Sequence, residues 1–463
     1  MNLPIKAAFK PMLDPDFVPA VLWNRAYHHK VARDPKARQI HLALCRPDGT
    51  TFRWAGPVLS ESSANGPLTL RFIERIVKFL LWQKGGSRLL VAGAPEVAAA
   101  LGEIYADQGA RAFDREFIGT KIFGEPVTVS NVARAAHLPK ANDGKMTLGR
   151  NLDGCRIGFD LGGSDRKCAA IIDGEVVYSE EVVWDPYFQS DPQYHIDGIH
   201  DSLLRAAAHL PRVDAIGGSS AGVYVNNEVR AASLFRGVSD ADFDAHIRRI
   251  FFTLRERWNH VPFEVVNDGE VTALAGSMGL GKNRVLGVAM GTSEAAGYVD
   301  AGGHIKPWLN ELAFAPVDYR EDAPVDEWSG DRGCGALYFS QQAVARLAPA
   351  AGFDFGKLPF PEQLVQIQNA MAEGDPRAAA IYETIGCHFG YTIAHYAEFY
   401  EIENLLILGR VTSGEGGQMI INEAETVLAR EFPDMRIKLV VPDEKTKRHG
   451  QAVAAASLPE LAR

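Results

Sequence analysis

Hydrophobic and polar positions in the first 110 residues follow two different periods. Residues 38–58 alternate in polarity on either side of a Pro-Asp-Gly turn, which predicts a β-hairpin. Residues 67–84 carry apolar side chains at helical spacing and end at two glycines, which predicts a helix. A buried strand is predicted at 88–93 and a further helix at 95–108. We therefore expect a small α+β domain at the N-terminus.

The pattern changes from residue 156 onward. Short apolar strands there end in glycine-rich turns and alternate with helical stretches, which predicts an α/β architecture. Such strand-and-turn units open near residues 156, 284 and 405. Residues 138–152 are polar and rich in turn formers, so they are expected to link the two parts.

Composition is that of an ordinary globular protein, with 463 residues of which 46% are hydrophobic and 23% charged. This length exceeds what one core usually serves, so two or three domains are expected. No apolar run reaches the ~20 residues of a membrane span, and the N-terminus lacks a signal-peptide core. We expect a cytoplasmic protein without a membrane partner. Five scattered cysteines predict free thiols.

Charge is distributed unevenly along the chain. Residues 1–150 carry 21 Lys and Arg against 13 Asp and Glu, whereas residues 151–463 carry 27 against 45. A basic segment can mark nucleic-acid binding, but these basic residues are dispersed, which favours a solvated face or docking on the acidic remainder. A DNA-binding repressor would also begin with a winged helix-turn-helix, whereas a hairpin comes first here. A nucleic-acid partner is not expected.

The first glycine turn has the pattern Asp-x-Gly-Gly-Ser-x-x-Lys between two strands. Gly162 and Gly163 lack a Cβ, so backbone N–H groups can approach a phosphate there, and Ser164 adds a hydroxyl donor. Asp160 at the strand end suits a hydrated Mg²⁺. A Gly-Gly hairpin alone is more often a tight β-turn. The complete pattern, which ends in Lys167, is far more specific for a nucleotide site.

Another unit delivers Asn267 and Asp268 from a strand end into a helix N-terminus. An Asp in this place can accept the proton of an attacking hydroxyl, and Asn267 can bind a neighbouring hydroxyl. The alternative is a helix cap or Asx turn, which is the commoner meaning of Asn-Asp-Gly in isolation.

These motifs resemble those of the ROK family (repressors, open reading frames and sugar kinases) in the hexokinase/actin-like superfamily. The family's first phosphate motif, Asp-x-Gly-Gly-Thr-x-x-Lys/Arg, matches residues 160–167 with Ser164 in place of Thr. The family's Glu-Asn-Asp pattern falls on Asn267 and Asp268. The resemblance covers 156–458 and none of 1–150.

The resemblance implies a two-lobed, actin-like (ribonuclease H-like) ATPase fold of the α/β class, preceded by a smaller α+β domain. The domain at 1–150 has no family counterpart, and the lobes are expected at 151–275 and 276–463. The last helix is expected to return to the first lobe.

The resemblance also implies an ATP-dependent sugar kinase that works as a homodimer, with Asp268 as general base. Asp160 is expected to hold Mg²⁺ through water. The positions expected to bind ATP are Gly162, Gly163, Ser164, Lys167, Gly291, Thr292, Gly409 and Arg410. The positions expected to bind the sugar are Asn267, Glu311, Ser219, Ser220, Gly222 and Ser233. For Ser219, Ser220, Gly222 and Ser233, plain turn polarity is an equal alternative.

The second phosphate loop departs from the family form. Gly291, Thr292 and Gly297 match Gly-Thr-Gly-x-Gly, but 293–296 replace its glycine-rich centre. Glu294 beside phosphates is unfavourable unless it turns away.

The family's sugar and zinc motif is also altered. Glu311 matches the family's sugar-binding Glu, but the His three residues later is Phe314. Of the zinc cysteines only Cys334 is present, since the other matching positions are Glu327 and Ser329. One thiolate does not hold a structural zinc, so no zinc is expected. The following sugar-binding Glu falls on Ala336, which predicts a remodelled acceptor pocket.

Two classes of function follow. The intact first phosphate motif, Asn267, Asp268 and Glu311 favour a kinase. Phe314 and Ala336 favour a regulatory protein that senses a sugar without catalysis.

Overall fold

The N-terminal domain is built on the predicted hairpin. The computed structural model describes residues 3–144, 147–441 and 444–461, so residues 145 and 146 of the predicted linker lie outside it. One mixed sheet has the order β2-β1-β3-β4, in which β1 is antiparallel to β2 and β3, and β4 runs parallel to β3. Its strands are β1 (Arg38–Cys45), β2 (Thr51–Val58), β3 (Arg88–Ala92) and β4 (Thr128–Val132).

Helices of the N-terminal domain pack beside this sheet. They are α1 (Ala20–Val31), α2 (Gly66–Lys84), α3 (Pro95–Ile104) and a π-helical segment (Arg115–Phe123). The prediction for α2 is confirmed, and this helix stops where Gly85 adopts a φ of 74°. The α3 helix ends earlier than predicted because the chain turns back, so that the Arg111 N–H donates to the Ile104 carbonyl (2.9 Å).

The first lobe contains a five-stranded sheet with the order β11-β8-β5-β6-β7. The strands are β5 (Cys155–Leu161), β6 (Asp165–Ile172), β7 (Glu175–Val183), β8 (Ala215–Ser220) and β11 (Phe263–Asn267). Strands β9 (Val223–Val225) and β10 (Glu228–Ala231) form a separate hairpin. The helices are α4 (Pro192–Ala207), α5 (Ile250–Arg257) and α6 (Asp268–Leu280). Because β5, β8 and β11 are parallel, their carboxyl ends share one edge.

The second lobe contains a four-stranded sheet with the order β13-β12-β14-β15. Its strands are β12 (Val285–Met290), β13 (Glu294–Val299), β14 (Asn404–Leu408) and β15 (Lys438–Val440). Its helices are α7 (Gln341–Leu347), α8 (Phe360–Ala372), α9 (Pro376–Tyr396) and α10 (Gly414–Glu431). The three glycine-turn units predicted near 156, 284 and 405 are therefore present, each opening with a strand. No helix among the described residues is long and apolar enough to cross a bilayer.

Two segments connect these units. Helix α11 (Glu444–Ala456) follows the second lobe but packs on β5 and β8 of the first. Residues 3–19 run across the second lobe, where the Phe9 N–H donates to the Tyr391 hydroxyl (3.1 Å) and the Leu13 N–H to the Thr384 hydroxyl (3.2 Å). The start of the chain thus contacts the second lobe before the N-terminal domain begins.

Close packing of α11 on the sheet requires a glycine in β8. A Cβ on Gly217 would overlap the Ala455 carbonyl oxygen of α11, so the strand or the helix backbone would have to shift. We expect Gly217→Ala to lower the free energy of unfolding by about 1–3 kcal/mol. Denaturant unfolding measures this change.

The control is Gly102→Ala in α3, where an added Cβ meets nothing within 4 Å. Because Ala is the better helix former, this variant should be stabilised by up to about 1 kcal/mol. Equal effects of the two substitutions would contradict the close helix–strand contact.

Candidate active site

Polar side chains of the first lobe meet where the parallel strands end. Asp160 in β5 lies opposite Ser219 in β8, and the next pairs in register bring Ser220 beside Asn267. Burial raises the pKa of Asp160, and the neighbouring Ser219 side chain opposes the rise. Asp268 follows Asn267 as the first residue of α6. Strand register alone thus places Asp160 near Asp268.

Asp268 lies in an environment that favours its neutral form. Burial raises its pKa to about 6, and the nearby Asp160 carboxylate adds to the rise. The Gly269 N–H donates to Asp268 Oδ1 (3.0 Å), which opposes the rise. A carboxyl group with a pKa near the working pH can gain or lose a proton readily, as a general base must.

Glu311 of the second lobe faces the same carboxyl group. Burial raises the pKa of Glu311 to about 7, with Asp268 as the second cause. Glu311 immediately precedes the short 3-10 turn Leu312–Phe314, which fixes the direction of the chain there. Asp160, Asp268 and Glu311 therefore form a group of three carboxyl side chains with raised pKa values between the lobes.

Asn267 acts as a helix cap, which was the structural alternative for this motif. Its Oδ1 accepts from the Gly269 N–H (2.7 Å), and its Nδ2 donates to the Gly222 carbonyl (2.7 Å). These bonds fix the strand-to-helix turn that presents Asp268.

The other positions predicted for sugar binding differ in their exposure and in the hydrogen bonds that they already form. Gly222 lies beside Asn267 and adopts a φ of 128°, a value that suits only glycine. Ser220 is fully buried, and its hydroxyl accepts from Tyr224 (2.6 Å). Ser233 is exposed at the start of a 3-10 turn. Gly222 and Ser219 thus lie next to the acidic cluster, while Ser220 is already paired.

The first predicted phosphate loop is a tight connection between β5 and β6. The Trp184 indole N–H donates to the Gly162 carbonyl (2.8 Å). Ser164 is exposed at the tip of this connection. Ser164 Oγ donates to Asp165 (2.9 Å), and Lys167 Nζ lies 3.3 Å from the same carboxylate. Sequence reasoning passed over Asp165, although its position between Ser164 and Lys167 in the motif was visible.

The two predicted nucleotide loops of the second lobe come together. Thr292 is exposed in the turn after β12, and Gly291 precedes it. Gly409, at the end of β14, has a φ of 102° and packs so closely on Met290 that a Cβ would overlap the Met290 backbone. Arg410 next to it is exposed.

The Glu294 side chain turns away from this loop, so its carboxyl group does not lie beside the expected phosphates. It is 3% exposed, and its Oε1 accepts from the Tyr396 hydroxyl (2.9 Å) inside the second lobe. Burial raises the pKa of Glu294 to about 8, so the group is largely neutral at pH 7. Glu294 therefore places no charge on the loop.

Aromatic side chains occupy the place of the altered sugar and zinc motif. The ring of Phe314 packs on Trp82 of the N-terminal domain at 4.4 Å and on Trp328 at 5.1 Å between centroids. Ala336 is buried in the same apolar cluster. Cys334 is buried with a raised pKa, mainly because of desolvation. Within residues 3–144, 147–441 and 444–461, no three His, Cys, Asp or Glu side chains are grouped to hold a metal.

No protein-family model matches this sequence, and no curated protein matches it. Solved structures do match. One is a ROK hexokinase from Thermus thermophilus, 17% identical, with 65% of this chain and 96% of that chain covered at a TM-score of 0.52. Another is a ROK family transcriptional regulator, a homologue of the E. coli MLC protein, 20% identical, with 66% and 79% covered at a TM-score of 0.52.

These likenesses confirm the predicted fold. The chain has the two-lobed, actin-like α/β fold seen in ROK proteins, and about a third of it lies outside the matched part. Because a hexokinase and a regulator both have this fold, the residues of the site must decide between the two functions.

The raised pKa of Asp268 gives a stability test that needs no ligand. Its folded-state pKa of about 6 exceeds the ordinary 3.8, so the folded state holds the proton more tightly than the unfolded state. This contribution is full below about pH 4 and is lost as the pH rises through 6. We expect Asp268→Asn to have a higher Tm than the parent protein at about pH 8, and a smaller advantage at about pH 5.

Asp375→Asn is the control with the opposite sign. Hydrogen bonds from Arg377 lower the pKa of Asp375, so its ionised form stabilises the folded state. This variant should lose stability near neutral pH, and the loss should shrink in acid. An Asp268→Asn Tm that follows the Asp375→Asn trend would contradict the assignment.

Proposed function

We propose that this protein is an ATP-dependent kinase that phosphorylates a hydroxyl of a sugar or sugar-like polyol. The observation that carries the proposal is the position and pKa of Asp268, a half-buried carboxyl group with a pKa of about 6 at the edge where three parallel strands end. The two-lobed fold, shared with a ROK hexokinase, supports it.

In this proposal Asp268 accepts the proton of the attacking hydroxyl. Glu311 hydrogen-bonds a neighbouring hydroxyl and, with a pKa of about 7, acts as acceptor or donor. Asp268 begins α6 of one lobe and Glu311 precedes a 3-10 turn of the other, so the acceptor is oriented from the two lobes at once.

ATP lies on the glycine turns of both lobes. Gly162 and Gly163 present backbone N–H groups. Lys167 supplies a positive charge, and its ammonium group forms an ion pair with Asp165. On the other side, Thr292 faces the phosphates and Arg410 the nucleoside. Both are exposed and so accessible to a ligand.

The charge of the cleft fits a magnesium ion. Asp160 raises the energy of the ionised form of Asp268, as Asp165 does for Asp160, and a cation relieves that repulsion. Mg²⁺ usually keeps several waters and takes one or two carboxylates, so a single Asp160 with phosphate oxygens is a sufficient ligand set. When bound, the ion neutralises phosphate charge. The homodimer and the cytoplasmic location stay predictions.

A second candidate is a sugar-sensing regulator without catalytic activity. The specific observation in its favour is the apolar contact between Phe314 and Trp82, since an aromatic wall replaces polar groups beside Glu311. Such a wall still binds a sugar ring but offers fewer hydrogen bonds to it.

The kinase proposal predicts the behaviour of Asp268→Asn. Loss of the base should lower kcat by about 10²–10⁴-fold and leave the KM for ATP unchanged, because Asn keeps the shape but accepts no proton. ADP release is measured with hexoses, amino sugars and polyols. The parent kcat/KM should rise between about pH 6 and 7, as Asp268 and Glu311 lose their protons.

Asp354→Asn serves as the control, since Asp354 is exposed and accepts a hydrogen bond from the nearby Gly356 N–H. It should match the parent enzyme. If the parent protein turns over no acceptor of the panel yet binds one, and Asp268→Asn binds it equally well, the regulator is correct.

A further inference from the structure

The C-terminal end of α2, in the N-terminal domain, is joined to the backbone that carries Glu311. The Gln83 carbonyl accepts from the N–H groups of Leu309 and Asn310, and the Trp82 carbonyl accepts from the N–H of Glu311, each at 3.0 Å. The last carbonyls of a helix have no partner within it. Here they are satisfied by three successive residues of the second lobe.

Asn310 extends this connection to the helix of the proposed base. It adopts a φ of 50°, its Nδ2 donates to Glu270 Oε1, and its Oδ1 accepts from the Tyr400 hydroxyl (2.7 Å). Glu270 lies two residues after Asp268 in α6 and also accepts from the Tyr298 N–H (3.2 Å). Asn310 therefore bridges the elements that carry Asp268 and Glu311.

A buried ion cluster ties a second part of the same lobe to α2. Lys78 Nζ lies 2.9 Å from both Asp114 and Asp331, and its side chain has no exposed surface. Arg111 pairs with Asp331 and also with Glu74 at 2.6 Å. Asp331 belongs to the loop 326–334, where the sequence resemblance places the altered zinc motif.

We propose that the N-terminal domain is a structural part of the acceptor site, and that Asn310 and Glu270 are positioning residues that set Glu311 relative to Asp268. This inference rests on the proposed function for the role of Glu311. In the described residues, no hydrogen bond or ion pair joins residues 3–144 to 162–167 or to 291–293. The effect should therefore fall on the acceptor and not on ATP.

The first test compares two substitutions of Glu270. Both Glu270 oxygens accept hydrogen bonds, Oε1 from Asn310 Nδ2 and Oε2 from the Tyr298 N–H, so Glu270→Gln keeps one acceptor for these two donors. Glu270→Leu removes both acceptors. With glucose, or the hexose of the panel that the parent turns over fastest, the KM for the acceptor should rise on the order of 10²-fold in Glu270→Leu. The KM for ATP should stay constant, and Glu270→Gln should raise the acceptor KM by less than Glu270→Leu does.

The second test addresses the N-terminal domain itself. Arg111→Met removes the pairing with Asp331, and Arg38→Met removes an ion pair with Glu96 that lies within the N-terminal domain. Amide hydrogen exchange at 309–311 should accelerate about ten-fold in Arg111→Met and in Glu270→Leu, because a buried hydrogen-bonded contact is lost. Arg38→Met should exchange like the parent protein.

The two readouts separate the two proposals. A parent protein without turnover contradicts the proposed function, while exchange at 309–311 still tests the positioning. Unchanged exchange in Arg111→Met, or a KM for ATP that rises as much as the KM for the acceptor, overturns the inference. If Glu270→Leu does not fold, Arg111→Met and Arg38→Met decide by the same measurements.

Discussion

The structure depends on holding three carboxyl groups together against their mutual repulsion. Asp160 ends one strand, Asp268 begins a helix, and Glu311 enters from the opposite lobe. Burial raises the pKa of each, and Asp268 is a further cause for Glu311, as is Asp160 for Asp268. Repelling groups separate unless the backbone resists. Much of the architecture around the cleft provides that resistance.

Backbone geometry holds each carboxyl group in place, while Lys167, opposite Asp160 in β6, offsets part of the charge of Asp160. Strand register fixes Asp160, and the Asn267 cap fixes the turn that presents Asp268. Glu311 is fixed by the carbonyls at the end of α2. The third support comes from the N-terminal domain. Packing of Phe314 on Trp82 then fills the space beside it with apolar surface, where hydrogen-bonding groups would need partners of their own.

The sequence revealed those parts that local patterns determine. Period-two alternation predicted the hairpin, and the glycine turns after apolar strands predicted the units that carry Asp160 and Gly409. It did not reveal Glu270 or Asn310, because their partners are 40 and 90 residues away and no period links such positions. Lys78 within the apolar face of α2 was a visible signal for a buried ion pair, but its partner Asp331 is far along the chain. Contacts between domains depend on how the folded domains pack against each other. The spacing of residues along a single sequence does not show this packing.

The acidic cluster also bears on the choice between catalysis and sensing. Amides, hydroxyls and ionised carboxylates bind a neutral sugar well when each group is solvated or paired. Crowding three carboxyl groups together adds nothing to the affinity for the sugar. Crowding costs folding free energy, since burial of unpaired carboxyls favours the unfolded state above their pKa. What burial and the neighbouring carboxyl group supply is a pKa of about 6 for Asp268, a value that suits the proposed general base. Asp268 therefore has a property that proton abstraction requires and that sugar binding alone does not.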